Sequence, residues 1–192
     1  MGGQNIMREN IFRGKLIHKE DYMLYEKLYK DNKDTIDVFN NGFVYGSLVV
    51  IKDKYYICIG VAGVSINSLI NNATATLIEV IPETVGEYIN LTDCHDKMIF
   101  EGDIIRYADN DEYESYLESL KCPEGYEGVN FSKMWTVDEV VYGDKIGYPA
   151  FDLNTHDFDC NGLAELNESG GQWFYEIIGN IHDNPELLEE KE

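Results

Sequence analysis

Short runs of β-branched and aromatic residues, each ended by turn residues, recur through this chain and leave little room for a helical fold. Phe43 to Ile51 ends at Lys52-Asp53-Lys54, and Tyr55 to Ile59 then returns, which predicts a hairpin. Thr76 to Ile81 is a further strand, stopped by Pro82. Lys97 to Phe100 leads through Glu101-Gly102-Asp103 into Ile104 to Tyr107. Asp138 to Tyr142, the stretch Ile146 to Leu153 and Trp173 to Ile181 complete the set. Roughly seven short strands separated by turns predict a sandwich or barrel.

Two segments break this rhythm. Glu20 to Lys33 sets Tyr25, Leu28 and Tyr29 at helical spacing. Asp109 to Lys121 carries Tyr113, Tyr116, Leu117 and Leu120 at i, i+3, i+4 and i+7. The second segment starts acidic (Asp109, Asp111, Glu112, Glu114) and ends at Lys121, the polarity that suits a helix dipole, and Pro123 stops it. Residues 183–192 are expected to form a short terminal helix or a frayed tail.

With 192 residues the chain makes one substantial domain or two small ones, and it needs no metal or disulfide to complete a core. Its charge is less ordinary: 15 Lys+Arg against 36 Asp+Glu leave −21. Residues 1–100 contribute 10 basic and 13 acidic side chains, whereas residues 101–192 contribute 5 and 23, so −18 sits in the second half. A phosphate-backbone binder needs a basic footprint, and an anionic membrane surface attracts one, so direct nucleic-acid and membrane partners are both excluded as expectations. The four cysteines, Cys58, Cys94, Cys122 and Cys160, form no C-x-x-C pair, unlike a disulfide scaffold or a usual zinc site. With no secretory signal expected at the N-terminus and no uninterrupted apolar run of membrane-spanning length, a cytoplasmic location with free thiols is the expectation.

A set of ordered motifs is more specific than any of these features. Pro82-Glu83-Thr84-Val85-Gly86-Glu87-Tyr88, Leu91-Thr92-Asp93 and Lys97-Met98-Ile99-Phe100-Glu101-Gly102-Asp103-Ile104-Ile105 together resemble the central signature of the YopX family, encoded mainly by bacteriophages and prophages. Phe12-Arg13-Gly14-Lys15 resembles its N-terminal signature, and Val44-Tyr45-Gly46-Ser47-Leu48 its next strand. Glu139-Val140-Val141-Tyr142 with Ala150-Phe151 is similar to its third block, and Tyr175 to Leu188 to its C-terminal signature. The two helical segments fall between blocks as insertions. Asn90 stands where the family often has Gly, and Cys94-His95-Asp96 where it often has Asn-Gly. The resemblance implies a mainly β, β-rich α+β fold of short antiparallel strands, with a small SH3-like barrel in the C-terminal half. The expected division is 1–81, an N-terminal β-hairpin region with a helical insert at 19–33, and 82–192, the barrel region with an acidic helical insert at 109–121. It implies no catalytic residue set.

Candidate chemistry is sparse. Glu101-Gly102-Asp103 reads as a turn whose Asp caps its own backbone, in preference to an acidic metal site. Cys94-His95-Asp96 suggests nucleophilic chemistry, but neighbours on an extended chain face opposite ways, so a polar hairpin turn is preferred. His156, Asp157, Asp159 and Cys160 supply metal-ligand types without the partners zinc or calcium needs, and a solvated acidic loop is the preferred reading. Gly60-Val61-Ala62-Gly63-Val64 lacks the third glycine of a dinucleotide fingerprint and the Lys-Ser/Thr of a P-loop. Among the fourteen tyrosines, those on strands read as core, while Tyr113 and Tyr116 suit either core or interface.

The expectation is therefore a protein that works by binding, with no cofactor. Its acidic surface, Asp109, Asp111, Glu112, Tyr113, Glu114 and Tyr116, would meet a host protein with a basic surface by presenting carboxylates in place of phosphates. One alternative is a homo-oligomer holding a nucleotide-type ligand in an intersubunit cleft, with Arg13 and Lys15 as its cations. The other is a metal-assisted hydrolase built on His156, Asp157, Asp159 and Cys160.

Overall fold

The computed structural model describes residues 10–18, 39–40, 42–59, 76–121, 131, 134–143, 149–155, 161–163 and 173–189. They fall into two compact units, Met1–Tyr88 and Ile89–Glu192. The helical segment expected at 19–33 and the Gly60–Val64 run lie outside the described residues.

The first unit is an antiparallel sheet built from β1 (Phe12–Lys15), β2 (Phe39–Asn40), β3 (Phe43–Ile51), β4 (Lys54–Ile59), β5 (Thr76–Val80) and the start of β6 (Gly86–Thr92). Its strands run in the order β5-β4-β3-β1-β6, with β2 also on β3. The expected hairpin is β3–β4, in which Ile51 pairs with Lys54 across a two-residue turn. Lys52 and Asp53 both take positive φ, 48° and 63°, as the tight turn that matches strand twist requires. The sheet curls until the end of β1 meets the end of β5. Leu16 bridges Val80, and the Ile81 N–H donates to the Lys15 carbonyl at 2.8 Å. Alternate residues fill the concave side: Val44, Ile57, Ile59, Ile78 and Val80 with Leu16 form the core. After β5 comes a single 3-10 turn, Pro82–Thr84, held where the Thr84 hydroxyl donates to the Ile81 carbonyl and accepts the Lys15 N–H.

The second unit takes the remainder of β6, then β7 (Met98–Phe100), β8 (Asp103–Asp109), helix α1 (Asn110–Lys121), β9 (Thr136–Tyr142), β10 (Phe151–Leu153) and β11 (Trp173–Asn180). Four strands make an antiparallel sheet in the order β10-β9-β8-β11, and β6 pairs with β7. Ile105, Val140 and Leu153 from the sheet meet Ile89 and Ile99 from the β6–β7 hairpin, with Leu163, in one core. The mainly β expectation holds. The SH3-like barrel does not appear: among the described residues the sheet ends at β10 and β11, which do not pair, so it stays open. The acidic segment expected at 109–121 contains a helix, Asn110–Lys121, and the described part of the C-terminal segment contains a 3-10 turn, Pro185–Leu188.

Buried carboxylates fasten the turns of this unit. Asp103, 1% exposed, accepts the Phe100 N–H at 2.8 Å, while Gly102 beside it takes φ 80°. That is the self-capping turn expected of Glu101-Gly102-Asp103. Asp138 accepts the backbone N–H groups of Glu139 and Thr155 and the Thr155 hydroxyl. Asp152 accepts the N–H groups of Leu153 and Leu163. Asn90 takes φ 65°, the left-handed backbone that Asn tolerates in place of Gly.

Candidate functional site

Strand alternation builds one polar and aromatic face on the second unit. Arg106 on β8 lies directly opposite Glu176 on β11, and Ala108 opposite Phe174. Their neighbours Tyr107, Tyr175 and Ile177 turn the other way, onto the core. Arg106 and Glu176 form an ion pair, and the guanidinium also lies 4.3 Å from the centre of the Trp135 ring. Arg106 Nε is buried and has no hydrogen-bond partner among the described residues.

Helix α1 settles on this face through its apolar stripe. The Tyr113 ring stacks on Phe174 at 3.8 Å and meets Trp135 edge-on at 5.8 Å. Tyr116 meets Phe131 edge-on at 5.7 Å. Both tyrosines are half-buried anchors, while Asp111, Glu112, Glu114 and Glu118 are exposed. Leu120, expected on the apolar stripe, is 62% exposed. Burial, then the nearby Cys94 and Glu176, push the Tyr113 hydroxyl pKa up. Asp109 closes β8 opposite Trp173.

The β6–β7 turn brings a second group to the same place. Asp93, 5% exposed, accepts the N–H groups of His95 at 2.8 Å and Lys97 at 3.0 Å through one oxygen. Its other oxygen accepts the Ile177 N–H at 3.2 Å, and the Cys94 N–H donates to the Tyr175 carbonyl at 3.1 Å. The turn is thereby fixed to the outer edge of β11. Cys94-His95-Asp96 is the polar hairpin turn expected. Cys94 and His95 sit in a turn and not on an extended strand, so the alternation of an extended chain does not separate them. His95 Nε2 lies 3.3 Å from Glu176 Oε2. One ligand atom each from Cys94, His95 and Glu176 lies within 4.8 Å of the others. Burial, then the charges of Asp93 and Glu176, raise the Cys94 thiol pKa.

Elsewhere, Arg13 is 6% exposed with its guanidinium 4.6 Å over the Phe43 ring, and Lys15 Nζ lies 5.2 Å from the same ring. Those two side chains share one face of β1 in the first unit, and the aromatic and carboxylate group belongs to the second. His156, Asp157, Asp159 and Cys160 lie outside the described residues. Sequence reasoning missed Asp93, Arg106, Trp135, Phe174 and Glu176. The signal that could have found two of them is a charged residue interrupting an otherwise apolar strand, Arg106 after Ile104-Ile105 and Glu176 before Ile177-Ile178.

No helix among the described residues is long and apolar enough to cross a membrane. A family model described as YopX protein matches residues 12–189. No curated protein matches the chain closely enough to count as a relative. Among solved structures, the crystal structure of protein EF1440 from Enterococcus faecalis is similar at 24% identity, covering 62% of this chain and 72% of that one, with a TM-score of 0.34.

Proposed function

The chain belongs to the YopX family, and from that premise we propose that it is a phage-type accessory protein that binds a basic host protein through the acidic face of α1. One observation carries this reading. The helix spends its tyrosines on anchorage, so that Asp111, Glu114 and Glu118, at i, i+3 and i+7, line a single exposed stripe beside Glu112. A rigid stripe of carboxylates offers a basic surface what a row of phosphates would, and its field accelerates the encounter. Such a partner would be a DNA-handling or defence protein of the host cytoplasm.

The test is retention of host proteins on the immobilised chain, compared with the variant Asp111→Lys, Glu112→Lys, Glu114→Lys, Glu118→Lys. A partner retained by the wild type, lost on the variant and released by added salt is the expected result. Retention that survives both charge reversal and salt refutes the reading. Circular dichroism of the variant checks that α1 persists, since all four positions are exposed.

A further inference from the structure

We propose that Cys94, His95 and Glu176 form a zinc site, a three-ligand sulfur, nitrogen and oxygen set with its fourth position open to solvent. The three donor atoms already lie within 4.8 Å of one another, and the His95–Glu176 edge is 3.3 Å. Ligands at ordinary zinc distances on a tetrahedron stand roughly 3.3–3.6 Å apart. Closing the remaining gap takes about 1 Å of side-chain movement, available because Cys94 is exposed and the His95 side chain is 57% exposed.

The support around the trio is what distinguishes it from an accidental cluster. Asp93 fixes the turn that carries Cys94 and His95 through three backbone hydrogen bonds. Arg106 holds Oε1 of Glu176, leaving Oε2 turned to His95, and Arg106 is itself stacked on Trp135. A ligating carboxylate held by a partner of this kind is the usual outer arrangement of a metal site. The donor set selects the ion. Calcium and magnesium want oxygen alone, whereas a thiolate with imidazole and carboxylate suits zinc. Binding releases the Cys94 thiol proton, and the thiolate and carboxylate together balance the charge of the ion. Neither Cys94 nor His95 belongs to the acidic stripe of α1, so this site stands or falls apart from the binding surface proposed above.

The experiment is titration of the reduced full-length protein with cobalt(II), which reports thiolate ligation as a charge-transfer band and tetrahedral geometry through its visible bands, followed by displacement with zinc. Both bands are expected at one equivalent, bleached by zinc. Cys94→Ser should abolish the charge-transfer band, and His95→Ala and Glu176→Gln should each weaken cobalt affinity at least about tenfold. Arg106→Gln should cost about tenfold to a hundredfold, as outer partners do. The paired His156→Ala, Cys160→Ser variant should leave the titration unchanged. Absence of the band in the wild type, its survival in Cys94→Ser, or its loss in the paired variant overturns the proposal. Because His95 is exposed, His95→Ala should melt like the wild type, and unchanged cobalt affinity in that folded variant would be equally fatal.

Discussion

Replacing Asp93 by alanine tests whether one buried carboxylate holds the β6–β7 turn against β11. Three backbone N–H groups, from His95, Lys97 and Ile177, donate to it at 2.8, 3.0 and 3.2 Å. Hydrogen bonds to a charged acceptor contribute about 1.5–3 kcal/mol each, but an abandoned donor that reaches water recovers most of that. His95 and Lys97 lie on the exposed turn and rehydrate; Ile177 is only partly exposed on β11. The full loss therefore applies to one bond and a fraction to the other two, about 3 kcal/mol for Asp93→Ala. Asparagine keeps the oxygen facing the two turn amides and presents an NH2 group to the Ile177 N–H, so Asp93→Asn should cost about 1–2 kcal/mol. Urea unfolding followed by Trp fluorescence reads both. With m about 2 kcal/mol/M the alanine midpoint falls by roughly 1.5 M and the asparagine midpoint by about 0.5–1 M. An alanine variant within about 0.5 kcal/mol of the wild type would show that the turn does not depend on these bonds. Equal losses for the two variants would show that charge, rather than acceptor placement, is what matters.

Gly46→Ala should destabilise the first unit by about 2 kcal/mol or more, since the new methyl would press into the backbone carbonyl of Cys58, which cannot yield as a flexible side chain would. A melting temperature unchanged from the wild type would contradict that contact. Tyr107 titrates high because of burial first and the Asp138 charge second. Its folded-state pKa is raised, so its contribution to stability is complete below the unfolded value of about 10 and is lost as pH rises through the higher folded value. Urea midpoints measured around pH 8 and about pH 11 should therefore fall less steeply for Tyr107→Phe than for the wild type, and an identical slope would refute the assignment.

The strands most legible in the sequence are those whose side chains are themselves the cause of the structure. β3 and β4, rich in Val, Ile and Tyr, place Val44, Ile57 and Ile59 in the core and were readable as a hairpin with its turn at Lys52-Asp53-Lys54. β1 was not readable. Phe-Arg-Gly-Lys has little β preference of its own and is a strand because β3 and β6 pair with its two edges. The start of β6, Gly86-Glu87, was hidden for the same reason. The family resemblance marked both stretches, but through their motif and not their conformation. The barrel expected in the second half does not close among the described residues, because closure needs the end strands β10 and β11 to pair and they do not. The candidate site shows a different limit. His95 and Glu176 stand 81 residues apart, and only the docking of a turn on a strand edge brings them together. Adjacent Cys94 and His95 were set aside by the alternation rule of an extended chain, which does not govern residues in a turn.

The same distinction changes what the acidity of the second half means. Of its 23 acidic side chains, Asp103, Asp138, Glu139 and Asp152 are buried, and the three aspartates among them are engaged by N–H groups of their own turns and loops. Those charges are part of the internal hydrogen-bonding scheme and cannot meet a partner. Nor do the exposed carboxylates simply add. At physiological salt the screening length is about 8 Å, shorter than the roughly 10–12 Å across a helix but longer than the roughly 5–6 Å between neighbours on one of its faces. Acidic groups on different faces then act separately, and a strong local field needs several on one face of a rigid element. Helix α1 meets that condition because stacking of Tyr113 on Phe174 fixes which side points outward. The aromatic anchor, more than the net charge, is what makes the acidic stripe a surface that a basic partner could read.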